Sequence, residues 1–71
     1  MIVRIIVSYQ GTILLNYLLI NNQESLAEDK KLKIFEEIAD KVTKRFSQRP
    51  LNFTFVQDSG KSIKKYKTSR E

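Results

Sequence analysis

The sequence predicts a small α+β domain of element order β-β-α-β-(β), one antiparallel-rich sheet with a single long helix packed on one face. Three observations predict it. The first 20 residues are rich in Ile, Val, Leu and Tyr and are interrupted near the middle by Gln10-Gly11. Residues 25–47 carry apolar side chains at helical spacing, and apolar and polar residues alternate after Pro50.

MIVRIIVSY and TILLNYLLI have the β-branched and aromatic content of strands. Gln10-Gly11 between them is a two-residue hairpin turn, with Gly supplying the positive φ. In that register Tyr9 faces Thr12. One face then carries Val3, Ile5, Val7, Leu14, Asn16 and Leu18. The other carries Ile2, Arg4, Ile6, Ser8, Ile13, Leu15, Tyr17 and Leu19. Neither face is polar, whereas a hairpin with one side in water should alternate. A helix over the first face would leave Ile2, Ile6, Ile13, Leu15, Tyr17 and Leu19 as a bare apolar patch, which monomers seldom tolerate. This patch is therefore the expected interface, with a second copy in a symmetric homodimer or with a partner protein.

Residues 25–47 read as a helix. Ser25-Leu26-Ala27-Glu28 fits a capping box, with Ser25 as N-cap. Leu32, Phe35, Ala39, Val42 and Phe46 form one stripe, which Ile38 widens. Asp29–Lys33, Glu37–Lys41 and Asp40–Lys44 are spaced for ion pairs one turn apart. Pro50 ends any continuation. In LNFTFVQ the alternation of Leu51, Phe53 and Phe55 with Asn52 and Thr54 is that of a half-buried strand. The last segment, SIKKYKT, reads as the second arm of a hairpin spanning 51–67, with a flexible basic tail over 61–71 as the alternative. The whole, 1–71, reads as a single domain. Its element order resembles that of β-grasp domains, and its first three elements resemble the opening of a longin domain. Neither resemblance brings functional residues with it.

At 71 residues the chain buries only about 60% of its unfolded surface. It has no Cys, which excludes disulfides and thiolate metal sites, and no His. No calcium-loop pattern occurs either, so no metal or cofactor is expected. Of the usual ways to stabilise so small a domain, oligomerisation is left. The apolar run 5–20 is shorter than a membrane-spanning helix and is interrupted by Gln10, Gly11 and Asn16. No A-x-A cleavage pattern follows it, so the expected location is cytoplasmic, away from the membrane.

The net charge of +5 is unevenly spread. Residues 1–40 hold 4 bases and 6 acids, or −2, and residues 41–71 hold 9 bases and 2 acids, or +7. Such a basic half points to nucleic acid or an acidic protein as partner. Lys30, Lys41 and Arg45 share a flank of the helix. Arg49 follows it, and Lys61, Lys64, Lys65, Tyr66, Lys67 and Arg70 close the chain. From this region Lys41, Arg45, Arg49, Lys61, Lys64, Lys65 and Lys67 would meet phosphates, and Tyr66 would stack on a base. The competing use of such lysines is to guard an exposed sheet edge.

No catalytic motif competes with these readings. The GKS of Asp58-Ser59-Gly60-Lys61-Ser62 lacks the first glycine of a phosphate-binding loop, since that position is Phe55, and nine residues follow where a helix is needed. A turn with Gly60 in the left-handed region is expected instead. Asn52-Phe53-Thr54 matches a glycosylation sequon but falls within a strand. Glu36, Glu37 and Asp40 have no evident nucleophile or imidazole beside them, so a solvated helix face is expected. The expected function is that of a dimeric, non-enzymatic protein that binds nucleic acid in a regulatory role. The alternative is a protein–protein adaptor or inhibitor docking through its apolar sheet.

Overall fold

A computed structural model describes residues 2–20 and 28–71, apart from the side chain of Ile20. The elements are β1 (Ile2–Tyr9), β2 (Thr12–Ile20), α1 (Glu28–Thr43), β3 (Leu51–Asp58) and β4 (Ile63–Arg70), the predicted order with the fourth strand present. One four-stranded sheet runs β2-β1-β3-β4, with every neighbouring pair antiparallel. The likeness to β-grasp and longin domains extends no further than element order.

The β1–β2 turn forms as expected. Gln10 and Gly11 have φ of 49° and 80°, the signs a tight twisted hairpin requires. The register does not continue as expected. Tyr9 faces Thr12 and Ser8 faces Ile13, but Val7 then faces Leu15, so Leu14 bulges out. A one-residue slip moves every later side chain of the strand to the opposite face. Leu15, Tyr17 and Leu19 thereby lie beside Val7, Ile5 and Val3 on the helix side. Asn16 moves to the open face, where its Oδ1 accepts a 2.9 Å hydrogen bond from Arg4. The bulge has a clear physical reason. Without it, Leu14, Asn16 and Leu18 would face the helix side, and an asparagine would stand where Tyr17 now does.

The core lies between sheet and helix and consists of Val3, Ile5, Val7, Phe35, Ala39, Leu51, Phe53 and Phe55. Phe35 stacks on Phe55 with ring centroids 4.6 Å apart, and Phe53 lies 6.3 Å beyond. The helical stripe differs from expectation at Leu32, which is exposed, while Lys31 is buried. The side chains that meet the sheet are Lys31, Phe35, Ala39, Ile38 and Val42. The helix stops at Thr43 rather than at 47. The Thr43 hydroxyl donates to the Ala39 carbonyl at 2.6 Å, and the Arg45 N–H bonds Val42 three residues back. Arg49 then folds over this end and donates to the carbonyls of Thr43, Phe46 and Gln48. The expected cap at Ser25 lies outside the described residues.

The 58–62 segment is a turn. Gly60 has φ of 82°, its N–H donates to Asp58 Oδ1 at 2.8 Å, and the Ser59 N–H donates to the Ser62 carbonyl.

Candidate functional site

The helix does not sit centrally on its face of the sheet. Its backbone approaches β3 and β4 and stays clear of β1 and β2. The two flanks of α1 differ in charge. Glu36 and Asp40 lie on the flank toward β4 and both pair with Arg70, the Asp40 contact being 2.7 Å. Glu28, at the start of the helix, accepts hydrogen bonds from Lys64 at 2.8 Å and from the Tyr66 hydroxyl. The Lys64 bond, and after it the Tyr66 bond, holds the Glu28 carboxyl below its ordinary value. The same carboxylate raises Lys64 and Tyr66 above theirs. Each expected i,i+4 pair on the helix is absent within ion-pair distance. Asp40 turns to Arg70 rather than to Lys44, because the strand brings a partly buried guanidinium within reach.

The opposite flank carries Ile38, Lys41 and Val42, and Arg45 follows in the turn just past the helix end. These side chains face Ile5 of β1 and Leu15, Tyr17 and Leu19 of β2 across an open groove of about 450 Å³. The groove is apolar along its floor and basic along its rim. Tyr17 in the floor is 53% exposed. Beyond it runs the free edge of β2, a nine-residue strand, TILLNYLLI, with no charged residue and no proline. The sheet's other edge, β4, reads IKKYKTSR and carries Lys64, Lys65, Lys67 and Arg70. Lysine is a common protection for an edge strand, and β2 has none of it.

The residues expected at a nucleic-acid surface are dispersed. Lys41 and Arg45 rim the groove. Arg49 caps the helix, and Lys61 stands in the 59–62 turn. Lys64 and Tyr66 turn toward the helix and are engaged by Glu28. Tyr66, expected to stack on a base, also tilts against Phe35 at 5.4 Å and is partly buried. Lys65 and Lys67 share the open face with Arg4 and Ile6.

The expected interface patch is divided by the bulge. Ile2, Ile6 and Ile13 are on the open face, whereas Leu15, Tyr17 and Leu19 are in the groove. Leu18, expected under the helix, is on the open face and 48% exposed. Sequence reasoning took Ile38 and Val42 as core and missed them as groove wall. Of Lys30, Lys41 and Arg45, expected on one flank of a longer helix, Lys41 and Arg45 line the groove, Arg45 from the turn after the helix. The Leu14 bulge had one usable signal, the asparagine that a regular register would have turned toward the helix.

A shallow polar depression on the sheet is lined by Ser8, Asn52, Thr54, Lys67 and Ser69, among others. No acid or imidazole stands among those residues to activate a hydroxyl. Among the described residues, no helix is long and apolar enough to cross a membrane. A scan of family models, a search of curated proteins and a search of solved structures each return no match.

Proposed function

We propose that this chain is a non-enzymatic, cytoplasmic binding protein that works through protein–protein contact, and that its first contact is a second copy paired along β2. The observation that carries this reading is the contrast between the two edges: β4 is lined with cations and β2 has no charge over nine residues. An unprotected edge strand offers a row of backbone donors and acceptors to another strand. Pairing two antiparallel copies of β2 about a twofold axis extends the sheet and satisfies both rows at once. Light scattering at low and high salt tests this. A mass twice that of the chain is expected at both, since the contact is apolar and backbone-mediated. Tyr17→Lys combined with Leu18→Lys should yield a monomer. Both sites are about half exposed, so the variant should stay folded. A wild-type chain that is monomeric at every concentration would overturn the self-pairing.

Nucleic-acid binding through the open face is the second reading, favoured by Arg4, Lys65 and Lys67 lying on that face and by the +5 net charge. It expects affinity for single- or double-stranded probes that falls steeply with salt, and a further loss in Lys65→Glu with Lys67→Glu.

A further inference from the structure

We infer that the groove between α1 and β2 is the seat of an amphipathic helix from a partner protein, with acidic residues along the flank that meets Lys41 and Arg45. The inference rests on the protein-binding reading above and names the kind of partner.

The dimensions of the sheet argue for a helix. Strands lie about 4.8 Å apart, so a four-stranded sheet is about 19 Å wide. Helices packed side by side lie about 8–10 Å apart, a span of two strands. The sheet therefore has room for two helices on this face. The chain places α1 over β3 and β4, and the second position, over β1 and β2, is the groove. From Leu15 to Leu19 its floor runs about 14 Å, the length of about nine helical residues. A strand from a partner would add to the β2 edge instead and leave this floor exposed.

The charge argues for an acidic flank. The acids of α1 that reach the sheet, Glu28, Glu36 and Asp40, are spent on Lys64, Tyr66 and Arg70 of β4 at the far side. On the groove side stand Lys41 of the helix and Arg45 of the turn just past its end, and none of the described ion pairs includes either. β2 supplies no charge to meet them. The floor is aliphatic apart from Tyr17, so it offers no succession of rings to stack bases. An occupant that buries leucine-like side chains against Leu15 and Leu19 and brings carboxylates to the rim satisfies both features of the groove.

The test uses the full chain, isotopically labelled, and two synthetic helical peptides of 16 residues, the length of α1. Both have leucines along one face. One has glutamates along the adjoining flank, and the other has lysines at the same positions. The glutamate peptide is expected to shift the amide signals of Leu15, Tyr17, Leu19, Ile38 and Val42. The lysine peptide should bind about tenfold more weakly, the effect of two partly desolvated charge pairs. Lys41→Glu with Arg45→Glu, both exposed positions, should reverse that order of preference. Equal binding of the two peptides, signal shifts confined to the open face, or no binding at all would each overturn the inference. If light scattering shows the dimer while neither peptide enters the groove, the helix seat fails and the self-pairing stands. If the glutamate peptide binds a monomer with the stated preference, the seat stands and the self-pairing fails.

Discussion

The α1–β3–β4 half of the molecule and the β1–β2 half share one sheet, yet they meet water differently. On the first half, the helix lies over the strands, Phe35 stacks on Phe55, and three carboxylates of α1 engage Arg70, Lys64 and Tyr66 of β4. On the helix side of this half, apolar packing and charge are both met within the chain. On the second half, β1 is buried by side chains reaching across from the helix, and β2 is left half covered with its edge free. The difference lies in where a single helix settles. It follows the largest apolar side chains and the complementary charges, and both are on β3 and β4. The cations left on its other side look out over an apolar strip, and none of the described ion pairs includes them.

The largest expected effect separates the two halves by stability. Phe55→Ala should cost about 3–5 kcal/mol, enough to unfold most or all of a domain this small. Tyr17→Ala should cost less than about 1 kcal/mol in the monomer, because the ring is already half in water. Urea unfolding followed by circular dichroism measures both. Similar losses at the two sites would mean that β2 is as closed as β3. The next effect is electrostatic. Arg70→Ala should destabilise by about 1 kcal/mol, and the difference should shrink at high salt, as for partly exposed ion pairs. A loss that is unchanged by salt would assign the contribution of Arg70 to packing of its stem.

The smallest effect is the dependence on pH. Glu28 titrates below its ordinary value of 4.5, so its contribution is present above that pH and fades as acid carries the solution through the lowered value. Lys64 and Tyr66 are raised above 10.5 and 10.0, so theirs are present below those values and fade as base passes the raised ones. Glu28→Gln should therefore bring the Tyr66 phenol back toward its ordinary titration, followed by ultraviolet absorbance. An unchanged Tyr66 curve in this variant would show that the Glu28–Tyr66 hydrogen bond is absent in solution.

Much of the fold was legible in the residues. The Gln10-Gly11 turn, the alternation of Leu51, Phe53 and Phe55, the Gly60 turn and the central helical stripe all follow from local spacing, because backbone geometry imposes periods of 2 and 3.6. The candidate site was legible in part. Helical spacing brings Lys41 to the flank with Ile38 and Val42, whereas Arg45 reaches the groove from the turn past the helix end. That Glu28 would engage Lys64 and Tyr66, 36 and 38 residues away, had no local signal. Nor did the choice of strands on which the helix would lie.

The amino-acid order alone was sufficient for the element types, the uncharged β2 and the basic β4, since these depend on neighbours a few residues apart. The Leu14 bulge, the division of the expected patch between two faces and the groove beside α1 emerged only on assembly. Each is settled by a competition between whole surfaces. The strand slips by one residue, so that Leu15, Tyr17 and Leu19 rather than Leu14, Asn16 and Leu18 face the helix side, and the helix shifts toward the half of the sheet that supplies both rings and countercharges.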